Sequence, residues 1–537
     1  MKFNIDHLQI KGRRAYGWGW IYQPSNLITS VTIVAEVNGT SYSFPCKYGL
    51  NRSDVAKYYG TDDAAASGFI LSCNLPFGSI TEFTLEVHFQ DGTQELIDLK
   101  NFLNSVEHDN SRWIALIRRW LSRILDYLSR GDLWGLLRRM RIKIGNIWRQ
   151  SKLRSGCAED LLKLVRNPMQ KDVVFVFDHN LGGGANLYRE KRINEMRCAG
   201  ERILLVYYDL PTLEYYIRYL EGAIEETFKI GTLERVEEIA RFIKLKEIFF
   251  NNAFSFDDPL AIAILLPSLK NKTGAHLTIA VHDYFMICPS YTLLDYRGRF
   301  CGIPNLIQCQ HCLSNSKGDF TLFVDCRNIT EWRNAWGICL HEADTILCFS
   351  RSSVNLLMRA YPDLDETKFE IRPHSVEYLP RRDVFLDYQT PLNIGVVGRI
   401  AEHKGAGIIR EMVKIIEEKN LPVKITIFGE LEGSFSSPVL RVTGTYQREE
   451  LPELIERARA NLFFLPSICP ETFSYVTEEL MLMGVPLAVF DLGAPAERVR
   501  NYSKGLIIKE INARHALDQL IAFYARLRRS MPKGGSK

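Results

Sequence analysis

Through the first hundred residues the apolar positions alternate with polar ones. In Ser30-Val-Thr-Ile-Val-Ala-Glu-Val and in Glu82-Phe-Thr-Leu-Glu-Val-His-Phe the odd-numbered positions are apolar, the pattern of a strand with one buried face. Asn38-Gly39 and Asp91-Gly92 are hairpin-turn dipeptides. With no long helical pattern between them, residues 1–105 are predicted to form a small β-sandwich. The period then changes. From 111 to 154, Trp113, Ile117, Trp120, Leu121, Ile124, Leu125 and Leu128 recur at helical spacing, so residues 106–168 are predicted to be an amphipathic helical linker.

From about 171 short, wholly apolar runs alternate with helical stretches. Val173-Val-Phe-Val-Phe, Ile203-Leu-Leu-Val-Tyr-Tyr, Glu247-Ile-Phe-Phe, Leu277-Thr-Ile-Ala-Val and Thr345-Ile-Leu-Cys-Phe read as parallel strands buried on both faces. A second set begins at Asn393-Ile-Gly-Val-Val and continues with Lys424-Ile-Thr-Ile-Phe. The chain is therefore predicted to be α/β, with doubly wound lobes at 169–385 and 386–512 and a hinge near Pro373 to Pro391. Residues 513–537 are predicted to be a final helix packing back across the lobes, with a mobile tail. Ligands in such sheets bind beyond the carboxyl ends of the strands, which places the expected site in the cleft between the lobes.

Composition changes this picture little. Of 537 residues, 46% are hydrophobic and 24% charged, ordinary values for a folded protein. The net charge of +4 gives no nucleic-acid signature. Leu260 to Leu266 is among the longest apolar runs and is too short to cross a bilayer. The first residues lack the apolar core of a signal peptide, and twelve Cys then point to reduced thiols and a cytoplasmic setting. Locally the charge matters more: between 111 and 154, twelve Arg and Lys face only Asp126 and Asp132. Trp and Arg on amphipathic helices suit an anionic membrane surface, here the inner face of the plasma membrane. The same pattern also fits a linker that packs its Trp face on a neighbouring domain.

The candidate chemistry lies at strand ends. Glu471 sits in a loop after an apolar strand, a helix opens at about Ser474, and Glu479 follows early in that helix. Helix-start amides attract phosphate, and carboxylates accept hydrogen bonds from sugar hydroxyls. Gly398, Arg399, Lys404 and Gly405 follow the first strand of the second lobe, where Arg and Lys can converge on a diphosphate. Gly182, Gly183, Gly184 and Asn186 follow the first strand of the first lobe, and His282 and Asp283 follow another strand there. Cys288, Cys301, Cys309 and Cys312, the last two in C-x(2)-C spacing, are either ligands of a structural Zn²⁺ or buried free thiols.

The Glu471 to Glu479 segment resembles the E-x(7)-E signature of retaining glycosyltransferases of family 4, which have the GT-B fold, and Arg399 to Gly405 is similar to that family's G-R-x(4)-K-G pattern. The resemblance covers about residues 170 to 530. It implies transfer of a sugar from a nucleotide-diphosphate donor to a hydroxyl of a glycan or lipid-linked saccharide, as in cell-surface polysaccharide synthesis, with no cofactor for catalysis. It implies that Glu471 lies by the donor sugar, that Glu479 holds the ribose, and that the amides of Phe473, Ser474 and Tyr475 meet sugar or phosphate oxygens. Arg399 and Lys404 would bind the pyrophosphate; Gly183, Gly184, Asn186, Gly429 and Thr445 would line the donor pocket. His282 would support the reacting sugar, with Asp283 orienting it or the acceptor. The β-sandwich resembles modules that precede bacterial glycosyltransferase domains, through Gly17-Trp18-Gly19-Trp20, Asn51 to Ala56 and Ser67-Gly68-Phe69. Two other readings use the same residues: a GT-B epimerase or hydrolase, and a catalytically silent glycan- or membrane-binding scaffold.

Overall fold

The computed structural model describes the chain except residues 12, 77, 104–105, 108–155, 166–171, 211, 317–327, 377, 380–382, 434 and 531–537. The basic stretch 111–154 and the C-terminal tail therefore lie outside the described residues. None of the described helices is long and apolar enough to cross a membrane.

The alternating pattern of the first hundred residues yields two antiparallel sheets face to face. One runs in the order Thr40–Pro45, Ile28–Val37, Ile80–Phe89, Gln94–Asp98. The other runs Lys47–Leu50, Gly68–Asn74, Arg14–Tyr22, Lys2–Lys11, with Val106–Glu107 added in parallel at its edge. Ile33, Ala35, Leu85 and Val87 fill the space between them, as the period of two requires.

The N-terminal lobe has a nine-stranded sheet. Its parallel strands Arg202–Asp209, Val173–Phe177, Leu245–Phe250, His276–Ala280, Thr345–Cys348 and Phe369–Ile371 lie side by side in that order. The antiparallel hairpin Glu214–Glu221 and Ile224–Gly231 extends it, and Gly156–Cys157 closes that edge. The helix Ala158–Val165 buries Ala158, Leu161 and Val165 in the lobe's core. Residues 156–165 of the stretch assigned to the linker thus belong to the lobe, because their apolar stripe has a hydrophobic face to cover.

The C-terminal lobe is a six-stranded parallel sheet ordered Leu440–Val442, Val423–Leu431, Leu392–Ile400, Leu462–Leu465, Leu487–Phe490, Gly505–Ile508. The final helix, Ala513–Ser530, was expected to cross between the lobes. Its buried stripe of Ala513, Ala516, Leu517, Leu520, Phe523 and Tyr524 instead joins the core of the C-terminal lobe. Tyr524 Oη anchors it there, donating to Thr390 O at 2.6 Å.

The apolar run at Leu260 to Leu266 has a simple cause. Helix Pro259–Thr273 is buried from Pro259 to Leu266 and packs against helix Ile329–Glu342, lobe strand Leu245–Phe250 and sandwich strand Gly68–Asn74. Asp258 caps it through Ala261 N at 3.0 Å and also accepts from sandwich Tyr16 Oη at 2.6 Å.

Candidate active site between the two lobes

The two sheets point the carboxyl ends of their strands at one cleft. On the C-terminal side, strand Leu392–Ile400 ends in Gly398 and Arg399, and a single turn of 3-10 helix, Glu402–Lys404, follows. Gly405 closes that turn at φ +86°; a β-carbon there would stand 2.1 Å from Pro466 O. Only glycine lets this turn and the loop after strand Leu462–Leu465 approach so closely. The result is that Lys404 Nζ lies 3.8 Å from Glu471 Oε2. Ser467 Oγ donates to the other carboxylate oxygen, Glu471 Oε1. Arg399 is exposed and makes no ion pair with any described residue.

Helix Tyr475–Leu482 begins as predicted, with Ser474 as its cap, Oγ accepting from Thr477 N at 3.4 Å. Glu479 is 4% exposed and accepts from Tyr378 Oη. The Arg448 guanidinium lies over the Tyr378 ring at 5.1 Å and over Tyr475 at 5.8 Å. Gly429 pairs with Gly398 across the sheet, and its N–H donates to Thr443 Oγ1 at 3.2 Å. Thr445, expected to line the pocket, is exposed; the hydroxyl that meets the sheet edge is that of Thr443.

On the N-terminal side, Asp178 is fully buried and organises the glycine-rich loop. Arg189 Nη1 donates to it at 2.9 Å and Asn186 Nδ2 at 2.7 Å. Burial pushes the Asp178 carboxyl up, against the pull of His179 and Arg189. Asn186 Oδ1 accepts from Gly182 N at 2.6 Å, so its amide shapes the loop from within. Gly183 caps helix Gly184–Cys198. A β-carbon on Gly184 would stand 3.2 Å from the Tyr475 ring, so this glycine permits the lobes to meet.

His282 and Asp283 sit where strand His276–Ala280 ends. Asn251 Nδ2 donates to Ala185 O at 3.2 Å, which turns Asn251 Oδ1 toward His282 Nε2 at 2.8 Å. That oxygen can only accept, so Nε2 carries the proton and Nδ1 the lone pair. Burial, then His374 and His179, hold the His282 pKa well below the usual imidazole range, and the ring stays neutral. Asp283 accepts from Asn252 Nδ2 at 2.8 Å and from Phe285 N at 2.9 Å, so its carboxylate braces its own loop.

Between the lobes stands a residue the sequence reading passed over. His374, from the inter-lobe linker, stacks on Phe349 at 4.0 Å and on Tyr475 at 5.1 Å, and meets Phe473 edge-on at 4.6 Å. Tyr188 lies 4.8 Å away and His282 5.7 Å. Burial and then Lys191 lower its pKa to about 3. Tyr378, Arg448 and Ser467 were also missed. Pro373-His374 followed by Tyr378 in a linker was the available signal.

The four cysteines come together around the loop Cys288 to Cys312. Arg333 Nη2 lies 3.5 Å from Cys309 Sγ, and Ile303 N lies 3.4 Å from Cys301 Sγ. Burial pushes the Cys288 thiol up to about 12 and raises the other three. Among the described residues no group of three or more His, Cys, Asp or Glu is arranged to hold a metal ion.

Residues 391–526 match the family model described as glycosyl transferases group 1. No curated protein matches the chain. Among solved structures, HepE of Anabaena in complex with UDP-glucose is similar at 14% identity, over 67% of this chain and 92% of that one, with a TM-score of 0.44. Sucrose-phosphate synthase from Thermosynechococcus elongatus is similar at 13% identity, over 67% and 92%, with a TM-score of 0.43. The apo form of the lipopolysaccharide outer core galactosyltransferase WaaB is similar at 13% identity, over 67% and 90%, with a TM-score of 0.40.

Proposed function

We propose that this GT-B protein, whose second lobe matches group 1 glycosyl transferases, is a retaining family 4 glycosyltransferase. It moves a sugar from a nucleotide diphosphate to a hydroxyl of a glycan or lipid-linked saccharide in cell-surface polysaccharide synthesis. The observation that carries the proposal is the convergence of Lys404 and Glu471, 3.8 Å apart, beside the Ser474-capped helix start and buried Glu479, within the matched segment.

In this reading Arg399 and Lys404 bind the donor diphosphate and offset the charge of the leaving phosphate. Helix-start amides add to that field. Glu471 aligns the donor sugar and Glu479 receives the ribose, displacing or sharing the Tyr378 hydroxyl. Neutral His282 offers no charge to the reacting face and acts through its hydrogen-bonding edge and its ring. Electrostatic stabilisation is the main contribution of the protein. The basic stretch 111–154 brings the enzyme to an anionic membrane surface, where a lipid-linked acceptor resides.

A thermal-shift screen against UDP, GDP, ADP, CMP and dTDP sugars tests the donor site. A ligand at a hundred times its Kd adds about 2.7 kcal/mol of stability. One diphosphate sugar should raise Tm in the wild type and fail to do so in Glu479→Ala and Lys404→Ala. NMR of the product should show the anomeric configuration of the donor retained. Absence of any shift in folded protein contradicts the reading.

A further inference from the structure

Resting on that reading, we infer that Glu497 is a positioning residue that couples closure of the two lobes to the placement of Glu471. Helix Gly493–Arg500 of the C-terminal lobe carries three contacts of different reach. At its start, Ala494 N donates to Glu471 O at 2.8 Å. Gly493 is pressed against the same residue: a β-carbon there would stand 2.6 Å from Glu471 N and 2.8 Å from Glu471 O. One turn on, Arg498 Nη2 donates to Glu478 Oε2 at 2.8 Å, tying the helix to the one that holds Glu479.

The third contact crosses the cleft. Glu497 Oε2 accepts from Ser352 N at 2.9 Å and Oε1 from Arg351 N at 3.2 Å. These are the first amides of helix Arg351–Ala360 in the N-terminal lobe, a helix whose own cap, Ser350, reaches only Ser353 N, at 3.2 Å. A carboxylate at a helix start is favoured by both the unpaired N–H groups and the helix dipole. Glu497 therefore completes the cap of a helix in the opposite lobe, and can do so only when the lobes stand as they do here. The cavity between these helices, about 460 Å³ and lined by Arg351, Asn355, Pro470, Leu492 and Arg500 among others, opens beside the Glu471 loop.

One short helix thus holds the Glu471 backbone at one end, grips the neighbouring donor helix at the other, and locks to the opposite lobe in between. Opening the cleft strips Glu497 from the Arg351 and Ser352 amides and frees the helix that supports Glu471. Closure restores both together.

Hydrogen–deuterium exchange on the full chain tests this without requiring turnover. In Glu497→Ala the amides of Arg351 and Ser352 should exchange faster, and so should residues 466–475. Glu497→Gln, which keeps an acceptor oxygen, should lie between. Faster exchange at 351–352 with residues 466–475 unchanged overturns the coupling, and no change at either place overturns the clasp. Once a donor is identified, Glu497→Ala should lower kcat about tenfold with donor KM changed less than about twofold. A rise in KM at unchanged kcat overturns the positioning role. A wild type that binds no nucleotide sugar would refute the transferase reading while leaving the exchange result to stand for the clasp.

Discussion

The sandwich and the N-terminal lobe share one core, whereas the two lobes meet through stacked rings and a few hydrogen bonds. At the first seam Tyr16, Trp18, Leu50 and Ile70 of the sandwich join the same apolar cluster as Phe175, Phe250 and Trp336 of the lobe. Polar pairs cross it: buried Tyr16 with Asp258, His7 Nδ1 with half-buried Glu331 at 2.9 Å, and buried Arg14 with Glu237 at 3.8 Å. At the second seam the contacts are the His374 stack, Thr472 Oγ1 donating to His282 O at 2.8 Å, Glu497 on the Arg351 helix, and Lys191 Nζ donating to Ser375 Oγ of the linker at 2.7 Å. A seam of shared hydrophobic core is costly to open; rings and isolated hydrogen bonds can be exchanged for solvent or ligand. The difference teaches that the sandwich is a fixed part of the N-terminal lobe, and that the cleft is the seam cheaper to open.

The largest effect should follow from removing the sandwich. A chain beginning at residue 156 exposes the apolar face of helix Pro259–Thr273 that Tyr16, Trp18 and Ile70 cover. It should fail to give a cooperative thermal transition and should bind a hydrophobic dye. A truncated protein that melts cooperatively near the wild-type Tm would show that the first seam is as dispensable as the second.

Within that seam, Glu237→Ala should cost about 3–5 kcal/mol, because it strands the Arg14 guanidinium, itself 3% exposed, without its carboxylate. Urea unfolding measures this directly. Glu237→Gln should cost less, since Ser72 Oγ, 2.9 Å from Oε1, still has an acceptor.

The cleft responds to pH instead. His374, with its pKa lowered to about 3, and His282, lowered by burial, both fold as neutral rings. An unfolded histidine takes up a proton below about pH 6.5. The unfolded state thus binds more protons below that pH, so stability is full above about 6.5 and falls as pH drops toward the folded pKa. Each histidine contributes up to about 1.4 kcal/mol per pH unit in that window. His374→Phe keeps the stack and should flatten the decline of Tm between pH 6.5 and 5. An unchanged slope would remove His374 from the account.

How much of this was legible in the sequence depended on the range of the interaction. Glu471, Ser474 and Glu479 lie within nine residues, and local rules for a strand, a cap and a helix placed them correctly. Parallel strands were visible as apolar runs. The hairpin Glu214–Glu221 and Ile224–Gly231 was missed because its pattern mixes Tyr, Arg and Glu on a half-covered sheet edge. His374 and Glu497 were missed because each acquires its role from partners distant in the sequence, 92 and 146 positions away in the case of His282 and Arg351. Asn186 is a local case that the sequence does not show: its amide is engaged within its own loop by Gly182, Asp178 and His179.

The smallest change in stability should separate the two seams most sharply. Thr472 is 7% exposed, and its hydroxyl supplies a single hydrogen bond across the cleft to the carbonyl of His282. Thr472→Val keeps the shape of the side chain and removes that bond, a loss of about 1 kcal/mol. In a lobe of this size the loss lowers Tm by about 2–4 °C. Its place between Glu471 and Phe473 means that the same bond holds the Glu471 loop in register with the strand end that carries His282. Turnover should therefore fall about tenfold, far more than so small a loss of stability would cause in a folded enzyme. Glu237→Ala should do the reverse: at a temperature where it remains folded, its kcat should match the wild type. Comparing Tm and kcat for the two variants in one buffer decides the matter. If Thr472→Val loses stability and activity in the same proportion as Glu237→Ala, the cleft is only another structural seam; if activity falls alone, the contacts across it serve the chemistry.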